Sequence, residues 1–437
     1  MPDLNGSDQD PKEYRQFIKE KIVRQPLTRG QIARRGLLFF CTAVGFGAIA
    51  TVTSVLTKPY IERQFGVEPT RESVPITIPQ DEPDVPAEPE TSAQETPAET
   101  EPIEDILQSA MEKYEFSVDD LNVMYANMRS ICSEADQGIV TVHSVQQETD
   151  WFDNTVENTG LYSGAVIAST GTELLVLTSD SAVESADSIK VTFSDGVEAD
   201  GTKKQADAVM GMAVVSVPVT GLDVETLEHV KVINLGNSYA VKQGDIVMSV
   251  GAPAGMVHST DYGFVSYITK NVQIPDGTSR VFYSDVKSNQ TAGTFMINTS
   301  GEIIGWGTDA YRNESCDNMT AIMAISDYKS TIEKLTNGMA APYLGIRGQE
   351  VNSQMKESGL PEGLYIIESI ADGPAYNAGI QSGDIITSIG SKEVKSIKEF
   401  RSQLDSLAVG SVVTVVVQRP GREEFKEIEY QVTIGAR

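Results

Sequence analysis

Residues 232–268 read VINLGNSYAVKQGDIVMSVGAPAGMVHSTDYGFVSYI, and this stretch decides the fold class. Its two β-rich runs, DIVMSVG and GFVSYI, are short, and Gly, Asp and Ser residues supply turns around them. The stretch therefore predicts short β-strands joined by tight turns.

The same pattern continues on the N-terminal side of this stretch. Five further β-rich runs are separated by Gly, Asp and Ser turns: GIVTVHSV, YSGAVIAS, ELLVLTS, SIKVTFS and AVVSVPV. Many short strands with this spacing predict an all-β barrel or sandwich. Before them, residues 104–135 carry apolar side chains at three- and four-residue spacings, which predicts a helical lead-in.

Three segments of the chain resemble the HtrA family of serine proteases. Residues 162–196 resemble the first-barrel segment, in which Leu-Thr-x-x-His precedes a strand ending in Asp-Gly. Residues 232–268 are similar to the stretch from Leu-Gly-Asp-Ser through Gly-x-Pro-x-Gly to Gly-x-Val-Ser, and residues 284–306 resemble the segment that bears the nucleophile. The resemblance implies a mainly β, chymotrypsin-like double barrel over residues 136–336, followed by a second domain.

That second domain, residues 340–437, resembles the PDZ domain of the same family, which is an α+β fold. Residues 373–386 read Gly-Pro-Ala-x-x-Ala-Gly-Ile-x-x-Gly-Asp-Ile-Ile, the pattern that carries the resemblance. It implies a peptide-binding loop whose backbone N–H groups capture a terminal carboxylate, beside a strand that accepts the peptide. The implied loop residues are Tyr343, Leu344, Gly345 and Ile346. The helix after Ile397 is expected to carry Phe400, Leu404 and Leu407 either as the other wall of the groove or as core residues.

The resemblance also identifies the positions at which a serine protease would carry its catalytic triad. Such an enzyme needs a hydroxyl nucleophile, an imidazole base and a carboxylate that orients the imidazole. This chain has Ser181 at the histidine position, Gly211 at the aspartate position and Ala292 at the serine position. Gln290 replaces the glycine of the oxyanion turn. Loss of a whole triad costs on the order of 10⁶ in turnover, so we expect no catalytic residues and no enzymatic activity.

Other reactive residues offer no clear substitute. His143 is expected in a strand, His229 in a loop and His258 before a second-barrel strand, each structural or exposed rather than a general base. Cys132 and Cys316 either form a disulfide or remain two thiols. No clustered metal ligands and no cofactor motif are found, so neither a metal nor a cofactor is expected.

The N-terminal part of the chain predicts a membrane anchor. Residues 36–57 contain no charge, and 22 helical residues at about 1.5 Å each span a hydrocarbon core of roughly 30 Å. Residues 1–35 are rich in Lys and Arg and are expected to form a cytoplasmic tail, which places everything after the span outside the cytoplasm. A cleaved signal peptide is the alternative, but the apolar run is long, begins late and lacks a cleavage pattern.

Residues 58–103 are expected to form an acidic, Pro-rich stalk, because they are poor in large apolar side chains after Ile78. The formal net charge of the chain is −28, which repels phosphate backbones and excludes nucleic acid as a partner.

Together these features predict a single-pass membrane adaptor or sensor in envelope protein quality control that binds envelope proteins or peptides through their free C-termini. Two alternatives remain: an active endopeptidase with an unconventional site, and a regulatory subunit of active HtrA-type proteases. The family resemblance also permits homo-oligomers, or hetero-oligomers with such active subunits.

Overall fold

A computed structural model describes residues 75–83, 117–149, 155–311, 319–422 and 424–437. The first six strands are β1 (Ile139–Thr149), β2 (Thr155–Ser169), β3 (Glu173–Ser179), β4 (Ser188–Thr192), β5 (Glu198–Asp207) and β6 (Met212–Pro218). The next six are β7 (Ile246–Gly251), β8 (Asp261–Ile274), β9 (Gly277–Ser284), β10 (Thr294–Ile297), β11 (Ile303–Thr308) and β12 (Thr320–Ala324).

The remaining strands are β13 (Pro342–Tyr343), β14 (Ile346–Glu350), β15 (Leu364–Ser369), β16 (Ile385–Ile389), β17 (Lys392–Glu393), β18 (Val412–Pro420), β19 (Phe425–Thr433) and β20 (Gly435–Ala436). The α-helices in the described ranges are α1 (Val118–Asp136), α2 (Val224–His229), α3 (Lys329–Thr336), α4 (Ser353–Glu357), α5 (Pro374–Ala378) and α6 (Ile397–Asp405). Short 3₁₀ helices cover Asp180–Ala182, Val219–Gly221 and Ile325–Tyr328.

The first twelve strands form two closed six-stranded barrels, which confirms the predicted double-barrel architecture. The strand order is β1-β2-β3-β6-β5-β4 in the first barrel and β10-β11-β12-β9-β8-β7 in the second. All neighbouring strands within them are antiparallel.

Strand β3 explains how the barrels join. Its side chains alternate between two cores: Leu174 and Val176 fill the first barrel, whereas Leu175 and Leu177 pack in a cluster shared with residues of the second barrel. A strand that is buried on both faces has a nearly continuous apolar sequence, as this strand has. The shared cluster places the ends of β3, β6 and β10 next to each other, where the candidate site lies.

Helix α1 confirms the C-terminal part of the predicted helical lead-in. Ser117 and Asp120 form a reciprocal capping box at its start. Met128, Cys132 and Ala135 lie on one face at helical spacing and pack into the shared cluster. Residues 104–116 of the predicted lead-in lie outside the described residues.

The predicted stalk is wrong for residues 75–83, which pack against the second barrel and helix α3. Ile76 and Ile78 contact the shared cluster, and Ile76 exchanges hydrogen bonds with the Asn337 side chain at 3.0 and 2.8 Å. The Asp81 carboxylate lies 2.8 Å from the Lys329 ammonium group. The prediction failed because two alternating apolar side chains suffice for docking on an existing core, although they cannot form one.

The C-terminal domain has the predicted PDZ architecture. Its sheet has the order β14-β15-β16-β18-β19, with β17 paired to β16, and β13 pairs with β20. Helix α6 packs its buried Phe400 and Leu404 onto this sheet. Pro75–Arg437 form one compact unit, so the PDZ domain and the double barrel share an interface.

Within the described ranges, no helix has the length and apolar character needed to cross a bilayer. The predicted span over residues 36–57 lies outside those ranges, as do the tail before it and most of the predicted stalk.

Candidate functional site

The three segments that the resemblance aligned with the catalytic triad meet between the two barrels. The backbone N–H of Asp180 donates to the Gly211 carbonyl oxygen at 3.1 Å, which joins the first two segments. The N–H of Ser163 on strand β2 donates to the Ala292 carbonyl oxygen at 2.6 Å, which brings the third segment against the first barrel. The positions predicted from three separate motifs therefore share one location.

The space at this location is very small. Ser179, Gly211, Gln290 and Trp306 are among the residues that line a cavity of about 20 Å³. That volume holds about one water molecule, since a single water needs on the order of 10–15 Å³. A substrate side chain does not fit between these residues in this conformation.

Ser181 and Gly211 provide no base and no orienting carboxylate. Ser181 lies on the 3₁₀ helix Asp180–Ala182 with its side chain exposed. Gly211 has a φ of 74°, a left-handed conformation that glycine adopts freely. Burial raises the pKa of the neighbouring Asp180 carboxyl, and the negative charges of Glu184 and Asp207 raise it further, while the N–H of Ser181 opposes the shift.

The loop that carries Ala292 uses its backbone donors internally. The Ala292 N–H donates to the Asn289 side-chain oxygen at 2.9 Å, and the Gly293 N–H donates to the Asn289 carbonyl oxygen at 3.0 Å. The Gln290 side-chain oxygen accepts a hydrogen bond from the Asp309 N–H. An oxyanion hole needs free N–H groups aimed at the reacting oxygen, and the Ala292 N–H is already engaged.

A larger groove lies on the second barrel. It has a volume of about 390 Å³ and is lined by residues that follow β7, by the loop before β10, by the end of β11 and by the start of β12, including Lys287, Asn289 and Asp309. Its polar lining differs from the mostly apolar pockets that hold small ligands. The groove is open and polar, and it includes Asn289, the neighbour of Gln290 in the loop before β10.

None of the three histidines lines the cavity. His143 lies in β1 as predicted, with Nε2 2.8 Å from the Thr192 hydroxyl. His258 precedes β8 as predicted and lies 3.0 Å from the Asp136 carboxylate. His229 was predicted in a loop, which is wrong: it ends helix α2, because the Asp223 side chain caps the first turn of that helix.

Cys132 is a free, buried thiol in α1, and burial raises its pKa, whereas a hydrogen bond with Tyr262 lowers it. The predicted partner, Cys316, lies outside the described residues, and Cys132 carries no disulfide in the structure. In the part of the chain that is described, no three His, Cys, Asp or Glu side chains are grouped to hold a metal ion.

The predicted carboxylate-binding loop of the PDZ domain does hold a carboxylate, that of Asp276. The N–H groups of Leu344, Gly345 and Ile346 donate to its two oxygens, with the distances 2.8 Å from Leu344, 2.9 and 3.1 Å from Gly345, and 3.0 Å from Ile346. Gly345 has a φ of 82°, which turns the three N–H groups toward one point. Tyr343 is half-buried and pairs with Gly435, so it anchors the loop.

The two apolar residues predicted for the groove wall belong to the core. Phe400 is fully buried and Leu404 is nearly so, and both lie in the hydrophobic cluster of the PDZ domain. Leu407 is partly buried against the same cluster. The structure therefore supports the core alternative for these residues.

Sequence reasoning missed two residues that shape these sites, Asn289 and Asp276. Asn289 lies three residues before the N–H that its side chain accepts, which is a common turn pattern. Asp276 precedes Gly277 between two β-rich runs, which marks a hairpin turn. The Asp-Gly pattern does not reveal the partner of Asp276, because that partner is about seventy residues away in the chain.

Comparisons with known proteins agree with this arrangement. Residues 162–305 match the family described as a trypsin-like peptidase domain, and residues 342–430 match the PDZ domain family. The chain is 29% identical over 286 residues to a putative serine protease, HhoB, of Synechocystis sp., and 26% identical over 266 residues to the periplasmic serine endoprotease DegP of Escherichia coli. These matches support an HtrA-family protein with a trypsin-like peptidase domain and a PDZ domain.

The extent of the matches differs between relatives. The HhoB match covers 62% of this chain and 66% of that protein, and the DegP match covers 59% and 54%. Among solved structures, the HtrA-type protease AlgW with a decapeptide has a TM-score of 0.51 at 19% identity, with 72% of this chain and 98% of that chain covered. At this identity the match concerns the fold alone.

Proposed function

We propose that this HtrA-family chain is a membrane-anchored pseudoprotease that serves as an adaptor or sensor by binding the free C-termini of envelope proteins or peptides. The observation that carries the proposal is the loop of Leu344, Gly345 and Ile346, whose three N–H groups converge on a carboxylate. Charge-assisted hydrogen bonds to backbone donors are a known way to capture a terminal carboxylate.

Strand β14 provides the second requirement for such a site. It pairs with β15 in the sheet and makes no further strand pairing in the described part of the chain. An extended peptide can therefore add to its other edge with its terminal carboxylate in the loop, as β-augmentation requires. The proposal concerns peptides that end at this loop, because an internal segment has no carboxylate there.

The chemistry between the barrels supports the absence of proteolysis. Proton transfer from a serine nucleophile requires a base such as an imidazole within hydrogen-bond reach. Ser181 cannot act as that base near neutral pH, and Ala292 has no hydroxyl. The internal hydrogen bond of the Ala292 N–H removes a donor that would stabilise an oxyanion.

The rival hypothesis is an active serine endopeptidase, which the names of the relatives favour. The assay is incubation of the chain with casein, followed by gel electrophoresis, with DegP as positive control. We expect no cleavage above background. Cleavage that co-purifies with the chain and is lost in a Thr291→Ala/Thr294→Ala variant would overturn the pseudoprotease hypothesis.

Peptide binding is tested with a panel of fluorescein-labelled decapeptides that differ only in the last residue. Fluorescence anisotropy should show binding of at least some members, and amidation of the C-terminus should weaken that binding about tenfold or more. The loss reflects removal of the charge that the loop N–H groups recognise. Equal affinity for acid and amide forms would contradict carboxylate capture.

The membrane anchor is a separate part of the proposal and rests on the uncharged run over residues 36–57. The full chain should sediment with membranes and resist extraction by alkaline carbonate. A protease added outside the cytoplasmic membrane should digest the PDZ domain. Recovery in the soluble fraction would contradict the anchor without affecting peptide binding.

A further inference from the structure

The Asp276 carboxylate lies at the interface between the second barrel and the PDZ domain. Its two oxygens accept four hydrogen bonds from the three N–H groups of Leu344, Gly345 and Ile346, because the Gly345 N–H donates to both oxygens. Only 4% of Asp276 is exposed. Its own N–H donates to the Ile346 carbonyl oxygen at 2.7 Å. The barrel residue thus contacts the PDZ loop through five hydrogen bonds.

This set of bonds matches what the last residue of a peptide would form in the same loop. A bound C-terminal residue gives its carboxylate to the loop N–H groups and its own N–H to the adjacent strand. Asp276 supplies both groups, with its side-chain carboxylate in place of a main-chain one. Because each N–H of the loop is already used, an incoming peptide must displace Asp276.

The hairpin that presents Asp276 is held in an unfavourable backbone conformation. Asp276 lies between β8 and β9 with a φ of 58°, and it is followed by Gly277. A non-glycine residue in this region costs roughly 1 kcal/mol, although Asp and Asn tolerate it best. The conformation directs the carboxylate out of the barrel and into the loop.

Other contacts between the double barrel and the PDZ domain surround the Asp276 side chain. The Lys334 ammonium group on α3 lies 2.8 Å from the Asp405 carboxylate on α6. The Arg401 guanidinium group on α6 donates to the Asp327 carbonyl oxygen and lies 5.7 Å from the centre of the Tyr328 ring. Displacement of Asp276 therefore removes one of several contacts and weakens the closed arrangement as a whole.

We propose that Asp276 is an internal ligand of the PDZ loop, which competes with the C-terminal carboxylate of a peptide for the N–H groups of Leu344, Gly345 and Ile346. This inference rests on the proposed function, since the competitor is the peptide assigned there. It adds that a residue of the second barrel regulates peptide binding from within the same chain.

The direct test compares the wild type with Asp276→Asn in the full chain, using the labelled decapeptide panel. Asn tolerates the same backbone conformation, but its side chain is uncharged and replaces one acceptor oxygen with an NH2 donor, so the variant weakens the bonds to the loop N–H groups. A peptide binds only those molecules in which Asp276 has left the loop, so its apparent affinity is reduced by that fraction. Removal of the Asp276 carboxylate should therefore tighten peptide binding about tenfold or more. Asp200→Asn, a change on the exposed face of β5, is the matched control and should leave the affinity unchanged.

A second variant opens the interface without touching the loop. Lys334→Glu places a negative charge beside Asp405 and should weaken closure, so it should also tighten peptide binding. Amide hydrogen exchange gives a readout that needs no peptide. The N–H groups of Leu344, Gly345 and Ile346 should be protected in the wild type and should exchange faster in Asp276→Asn.

The outcomes separate this inference from the proposed function. Equal peptide affinity of the wild type and Asp276→Asn overturns the inference and leaves the peptide site in place. Rapid exchange of the three loop amides in the wild type overturns it as well. If no peptide binds either variant, the proposed function fails, while faster exchange in Asp276→Asn still supports Asp276 as the ligand of the loop.

Discussion

The guanidinium Nε of Arg437 lies 3.3 Å from the Asp207 carboxylate, and both side chains are almost completely buried. The pair links the PDZ domain to the end of strand β5 in the first barrel. Arg437 also donates to the Thr331 hydroxyl at 3.3 Å and, through its backbone N–H, to the Ala341 carbonyl oxygen at 3.0 Å. Residues from three parts of the chain thus meet at one buried charge pair.

Arg437→Met should destabilise the protein strongly, because it leaves the Asp207 carboxylate buried without a counter-charge. Breaking a buried pair in this way typically costs about 3–5 kcal/mol. Urea unfolding measures the loss. The double variant Arg437→Met/Asp207→Asn should recover a large part of it, and a double variant as unstable as the single one would contradict the charge argument.

The contacts that can be predicted from the sequence are those between residues close together in the chain. Runs such as ELLVLTS predict strands because the apolar pattern is local, and the motif around Gly345 identified the carboxylate-binding loop. The contacts of Asp276, Arg437 and residues 75–83 could not be predicted, because each joins segments far apart in the chain. In those cases a charged or isolated apolar residue acquires its partner only when the domains pack.

A second prediction concerns residues 75–83, which pack against the second barrel. Asp81 accepts a hydrogen bond from the Ser326 hydroxyl at 2.5 Å and pairs with Lys329, whose side chain is only 4% exposed. Asp81→Ala should reduce the free energy of unfolding by about 3 kcal/mol, since the lysine then remains buried and unpaired. Glu82→Gln, at the exposed neighbouring position, should change it by less than about 0.5 kcal/mol. A loss below about 0.5 kcal/mol in Asp81→Ala as well would show that the segment is not docked.

A pH-dependent prediction concerns Asp180, the neighbour of Ser181 in the chain. Burial raises the pKa of its carboxyl above the ordinary value of 3.8, so the folded protein binds this proton more tightly than the unfolded chain does. Stability from this group is therefore present at low pH and is lost as the pH rises through the raised folded value. Asp180→Asn should raise the melting temperature at pH 7 by more than at pH 3. A larger gain at pH 3 would contradict the direction of the shift.

Restoring the three triad residues should not restore proteolysis. In Ser181→His/Gly211→Asp/Ala292→Ser, position 211 retains a φ near 74° that suits glycine, and the N–H of residue 292 still donates to Asn289. An enzyme that lacks one oxyanion donor loses about 10²–10³ in turnover even with an intact triad. We expect no casein cleavage by this variant and a first measurable rate only when Asn289→Ala and Gln290→Gly are added. Near-ultraviolet circular dichroism checks that both variants are folded, and cleavage by the triple variant alone would contradict a closed oxyanion site.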